Sequence, residues 1–314
     1  MSVSSLIRCP MLLSLLTLAT PAFAQETAAP RVPEVLAPGF VSLPDQEEYR
    51  IVFTPDGRTA FWGVSTDFFP SSRQSTIVFS EWRHGQWSAP RVAPFSGQFS
   101  DIDPFVSPDG RFLFFSSIRP VDGVAREDAE LWVVERRGTG WSEPRHLGAA
   151  VNSTSDELYP SVDAWGTLYF GSDRPGGFGG WDLWRSCRRA DGSYGPAENL
   201  GAALNTSYWE FNPTVTADGN TLLFASIDRP DGFGSGDLYV AERRRGEWKP
   251  ARNLGPTVNT ERDEYHPSLS ADRRTLFFVR HQYEPFVPGD LYHVSARAAG
   301  LPTWGMRPHA EQVD

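Results

Sequence analysis

The chain has 314 residues, 40% of them apolar, and a formal charge of −10. That is long enough to bury one sizeable core, and too acidic to grip a nucleic-acid backbone or an anionic lipid surface unaided. With only Cys9 and Cys187 a disulfide framework is excluded, so stability has to come from burial.

The first element is a secretory signal peptide over residues 1–24. Arg8 is its only charge, an apolar run extends from Met11 to Ala19, and Ala22-Phe23-Ala24 is a small-x-small cleavage signal. Cleavage before Gln25 removes Cys9 and Arg8, leaving Cys187 alone and moving the formal charge from −10 to −11. Gln25 in place of a cysteine argues against a bacterial lipid anchor. No apolar run is long enough to span a bilayer. The expected product is an exported protein, periplasmic or secreted, with a single domain over 25–314 and Cys187 buried or unreactive.

From there the chain repeats itself. The turns T-P-D-G, S-P-D-G, D-A-W-G, T-A-D-G and S-A-D-R end at Gly57, Gly110, Gly166, Gly219 and Arg273, spaced by 53, 56, 53 and 54 residues. A period this long, filled with short aromatic and β-branched runs, signals propeller blades. The fold class is therefore all-β, a five-bladed β-propeller of four-stranded antiparallel blades; a six-bladed arrangement is the alternative.

The third copy gives the strands: a over Tyr159 to Asp163, b over Thr167 to Ser172, c over Trp181 to Cys187, d over Ala197 to Leu204. The fifth copy has a strand c at Asp290 to Val294 and Trp304, but no N-L-G-x-x-V-N-T for strand d. The segment V-L-A-P-G-F-V-S-L-P-D-Q-E-E-Y from Val35 can be laid on the segment from Arg252, so the N-terminal strand is expected to complete the last blade and close the ring.

The runs S-P-D-G-R-F-L-F-F-S-S, S-D-R-P-G-G-F-G-G-W-D-L-W and N-L-G-A-A-V-N-S-T-S-D-E resemble the WD40-like repeats of TolB-type propellers. They are closer still to the copies that accompany OmpA-like domains in bacterial envelope proteins. The resemblance covers nearly the whole mature chain and implies a periplasmic propeller that holds other envelope components. Neither the extra domain of TolB nor an OmpA-like domain is present, so no peptidoglycan or translocation role is carried over.

Loops b–c and the connections from d to the next a should open on one face. Glu48, Asp101, Glu157, Glu210 and Glu264 share one register position and are expected to ring the channel mouth. Arg119, Arg174, Arg229 and Arg280 end strand b in four blades, where cross-strand ion pairs would make that ring structural. Blade one has Asp67 and Phe68 there, so Glu48 should lack its arginine, with Arg50 the only substitute. The residue before the strand-a reference position differs in every blade: Arg50, Asp103, Tyr159, Asn212 and His266. These unlike residues are the candidate binding set, with Glu48 and Asp103 as acidic contacts and Tyr159, Asn212 and His266 as polar ones.

Metal signals are weak. His266, Glu264 and His281 do not follow a zinc spacing, and no calcium loop is present. Asn152, Asn205 and Asn259 are expected to bond their own turns. Phe178, Trp181, Trp209 and Phe233 flank the loop face, where they can stack on sugars or grip a peptide.

No nucleophile elbow, zincin motif, P-loop or cysteine–histidine signature is present. The reading is a protein- or peptide-binding or scaffolding module, with no cofactor, no catalytic residue assigned and a monomeric state. The alternative is a glycan-binding protein or glycoside hydrolase using carboxylates at the mouth.

Overall fold

The computed structural model describes residues 29–302 except Tyr283; the expected signal peptide, residues 1–24, and Trp304 lie outside the described residues. Five antiparallel sheets form the five blades. Strands a to d run outward from the axis. Blade one comprises Glu47–Phe53, Thr59–Ser65, Thr76–Arg83 and Arg91–Val92; blade two comprises Asp101–Val106, Phe112–Ser117, Glu130–Arg137 and Arg145–His146. Blade three is Glu157–Val162, Leu168–Ser172, Asp182–Ser186 and Glu198–Asn199. Blade four is Trp209–Val215, Thr221–Ile227, Gly236–Arg244 and Arg252–Asn253.

Blade five takes Asp263–Leu269, Thr275–Gln282 and Val287–Ser295 from the end of the chain and Glu34–Val35 from its beginning. Glu34 pairs with His293 and Val35 with Tyr292. The closing strand expected from sequence is therefore in place. Ser42 extends the seam, its Oγ accepting from the Leu291 N–H at 3.1 Å.

At one equivalent position of strand b every blade contributes a large buried aromatic ring: Trp62, Phe115, Phe170, Phe224 and Phe278. Strand c adds a buried aliphatic residue, Ile77, Leu131, Leu183, Leu238 and Leu291. Both faces of every sheet are covered by neighbouring blades, which is why hydrophobic alternation along the strands is blurred. Full burial of one such side chain contributes about 1.5–3 kcal/mol, repeated around the ring.

Strand d is shorter than expected, two residues instead of eight in blade three. Gly201, at φ 81°, turns the chain away. Strand c then pairs with a side chain: Asn205 accepts from Leu183 N–H at 2.8 Å and donates to Leu183 O at 3.0 Å. Asn152 and Asn259 do the same with Leu131 and Leu238. These asparagines thus cap the neighbouring strand, and Asn205 and Asn259 also bond across their own turns, to Asn199 Oδ1 at 2.8 Å and Asn253 Oδ1 at 2.7 Å. Cys187 is exposed, because it lies just past the end of strand c where the hairpin leaves the core.

Candidate functional site

The register position of the five carboxylates does not ring the channel. It stitches the blades together. Arg119 reaches Asp101 at 2.6 Å, Arg174 reaches Glu157 at 2.7 Å, Arg229 reaches Glu210 at 2.7 Å and Arg280 reaches Glu264 at 2.6 Å, all four acids being fully buried. Each arginine also donates to a carbonyl of the preceding d-to-a connection, at Phe95, Val151, Leu204 and Val258. Each guanidinium lies over the buried strand-b ring of its own blade, as Arg119 does over Phe115 at 4.9 Å. Glu264 is committed in this way and is not available to a ligand.

Glu48 lacks an arginine. One of its oxygens accepts from Leu43 N–H at 3.1 Å, while the other, buried, has no hydrogen-bond partner. Burial pushes its carboxyl up to about 9, with Asp290 and Glu47 acting in the same direction. Glu47 accepts from Gly289 N–H at 2.7 Å and is pushed up to about 7, chiefly by burial. This acidic seam joins blade one to blade five, away from the axis.

The unlike residues do meet on the axis. In every blade the a–b ladder slips at this point, a β-bulge that re-aims one side chain. Asp103, Tyr159, Asn212 and His266 adopt left-handed backbone, with φ between 52° and 64°, each directly before a proline. A left-handed residue with a β-carbon costs energy, here held by the surrounding sheet, and such strain clusters at functional sites.

Arg50 crosses the channel from blade one. Its guanidinium donates to Pro160 O at 2.7 Å and Pro213 O at 3.1 Å, on blades three and four. Burial lowers it to about 10 and Asp103 pulls the other way, so it remains a cation at neutral pH. Asp103 Oδ1 lies 2.8 Å from His266 Nδ1, and Asn212 Oδ1 accepts from His266 N–H at 3.1 Å. Together these four close the channel with a polar plug.

Above the plug lies a cavity of about 530 Å³ on the face of the b–c loops. Its walls are aromatic. His266 is the hub, meeting Tyr49 edge-on at 5.3 Å and Tyr159 at 5.7 Å. Tyr159 continues to Trp181 and Phe211, Phe211 to Tyr265, Tyr265 to His281, and His281 to Phe68, with ring centroids 5.1–6.0 Å apart. Trp209, 48% exposed, lines the basin, and Phe178 and Phe233 are exposed on the b–c loops of blades three and four.

Two glycines make room for this wall. A β-carbon at Gly236 would overlap the Tyr265 ring, and one at Gly180 would overlap Trp209. Gly236→Ala is expected to displace Tyr265 and destabilise the fold by ~1–3 kcal/mol. Urea unfolding measures this; an unchanged midpoint would show that the ring is not held there.

Blade one supplies the last wall. Where the other blades carry the stapling arginine, it inserts a helical turn, Phe69–Ser72. Arg73 follows, clasping Asp156 of blade three through two hydrogen bonds of 2.9 and 2.7 Å and donating to Glu127 O. Loss of the staple and gain of this strap are one change of sequence. Position 49 and its equivalents look like ordinary core in the sequence because simple alternation hides what a bulge exposes, and Phe68 and Arg73 lie in a loop that follows no repeat.

His281 lies 3.7 Å from Asp263, and burial lowers it to about 4. Among the described residues no group of three His, Cys, Asp or Glu is placed to hold a metal ion.

No family model and no curated sequence matches the chain. Solved structures share its fold. A glycoside hydrolase is 8% identical over 85% of this chain and 92% of that one, with a TM-score of 0.55. An α-L-arabinofuranosidase from Lactobacillus brevis is 12% identical over 82% and 93%, at 0.51. A putative TolB from Agrobacterium tumefaciens is 15% identical over 77% and 71%, at 0.50. At these identities the likeness is one of fold, a TolB-like propeller among others.

Proposed function

We propose that the protein is an exported, TolB-like propeller that binds a peptide segment of another envelope protein in the basin at its channel mouth. The observation that carries this reading is the basin itself: about 530 Å³, walled by a run of aromatic rings and closed below by a plug. Concave aromatic sites with few convergent polar groups suit an apolar or aromatic side chain and exclude water around it. A glycan of many hydroxyls would find few free partners here.

The hydrolase reading finds no suitable pair among the acids that line the basin or close it below. It needs two acids in unlike environments facing one bond. Asp103 is fully buried against His266; Asp156 is held by Arg73 and by Ala129 N–H; Asp263 accepts from Gly236 N–H at 2.8 Å. Each of the three is buried or already engaged within the fold.

Crosslinking followed by mapping of the linked residues tests the site. Captured segments are expected to link to the b–c loops of blades three to five. Trp209→Ala should weaken capture by about tenfold or more, since aromatic anchors dominate interface energetics, with little change in the melting temperature because the ring is 48% exposed. Links confined to the a–b turns, or turnover of a glycan abolished by Asp263→Asn, would overturn the reading.

A further inference from the structure

The negative charge of this chain is not evenly spread. Loops on the mouth face carry Asp67, Glu127, Asp156, Asp173, Asp228 and Glu261, and further carboxylates beside them. Apart from the arginines stitched to strand a, the cations in these loops are Arg73, Arg126 and Arg262. Two of the three are spent: Arg73 on Asp156, and Arg126 on Asp128 and Glu130. The opposite face is arginine-rich. Its c–d hairpins read E-R-R-G-T-G-W-S-E-P-R over 135–145 and E-R-R-R-G-E-W-K-P-A-R over 242–252.

Several mouth-face acids stand at the basin itself. Asp156 and Asp263 line it. Asp173 accepts from the Asp156 N–H at 2.9 Å, and Asp228 accepts from Ser235 Oγ at 2.9 Å, Ser235 being another lining residue. Asp67, Asp173 and Asp228 are exposed. An aromatic hollow is thus fringed by carboxylates of which only Asp156 is neutralised by a guanidinium among the described residues.

Resting on the peptide-binding reading above, we infer that the basin's partner is a basic segment: an apolar side chain seated among the rings, flanked by lysine or arginine that meets this acidic rim. Two interactions divide the work. Ring contacts supply the anchor, and opposite charge supplies the approach and the choice between segments of either sign. An acidic segment with the same anchor would bring its carboxylates against Asp67, Asp173 and Asp228 and be rejected.

Selection from a random-peptide display library on the immobilised mature protein, in parallel with Trp209→Ala, tests this. The expected enrichment is an aromatic or aliphatic residue with lysine or arginine close on either side, lost on Trp209→Ala. Affinity of a selected peptide should fall as salt is raised. The pair Asp173→Asn with Asp228→Asn should weaken it on the order of tenfold at low salt. A matched pair on the other face, Glu198→Gln with Glu247→Gln, should leave it unchanged, which separates the rim from overall charge. Enriched peptides that depend on Trp209 but are neutral or acidic would overturn the charge assignment and leave peptide binding standing. An absence of any Trp209-dependent enrichment would overturn both.

Discussion

Arg50→Ala is expected to destabilise the propeller by ~3–5 kcal/mol, the largest effect of any single change in the plug. The residue is fully buried and reaches across the axis to two carbonyls that no other donor serves in the hydrogen bonds of the plug. Its loss leaves Pro160 O and Pro213 O without their donor and removes a positive charge that interacts with Asp103. A hydrogen bond to a charged group contributes about 1.5–3 kcal/mol, and two are lost here. Equilibrium unfolding in urea gives the total. The charge component is isolated by a double-mutant cycle with Asp103→Asn, because removing the carboxylate removes the reason for the cation. Partial rescue in the double variant is the expected outcome. Strict additivity would mean that Arg50 acts on the carbonyls alone, and a stable Arg50→Ala would mean that the channel does not need its plug.

Much of this architecture is written in the repeat itself. Five copies of one turn, 53 to 56 residues apart, point to five blades, since each repeat must bury its aromatic strands against its neighbours. The missing outer strand of the last copy, together with its counterpart near Val35, foretells the closure seen at Glu34–Val35. Arginine at the end of strand b and an acid at the start of strand a foretell the four staples. Their absence from blade one is visible too. What sequence does not carry is direction. The bulge in each inner strand turns the residue before the proline onto the axis, whereas alternation alone would leave it on the same face as the acid two residues earlier. Hence Glu157 and its equivalents face the seams, whereas Tyr159 and His266 face the channel. The aromatic basin depends on the same slip, for Tyr49, Phe211 and Tyr265 sit one residue earlier, at positions that look like ordinary core.

The site and the staples are two answers to one problem. A position repeated in all blades serves the ring, as the carboxylate–arginine pairs do. A position that differs in all blades is free of that duty, and five such positions meet at one point. Blade one, by giving up its staple, gains the strap that walls the basin with Phe68 and Phe69 and locks to Asp156. The cost of that exchange is Glu48, an acid kept at the seam without the arginine its equivalents have.

Glu48→Gln should therefore stabilise the protein, and should do so only above acidic pH. The folded state holds the Glu48 proton up to about 9, whereas the unfolded chain releases it near its ordinary 4.5. Between those values the native state binds more protons than the unfolded one, so stability falls as pH rises. Below 4.5 both states are protonated and the group costs nothing. Glu47, pushed up to about 7, adds to the slope between 4.5 and 7. Glutamine keeps a carbonyl for the Leu43 N–H and has no proton to lose. The advantage of the variant is expected to be near zero at pH 4, to grow through neutrality, and to reach on the order of 2–4 kcal/mol at pH 8. Urea midpoints of both proteins across that range decide it. A gain that is the same at every pH would point to packing rather than to the proton. A loss at pH 8 would show that the seam uses the Glu48 charge, in which case a cation outside the staples must be sought beside Asp290.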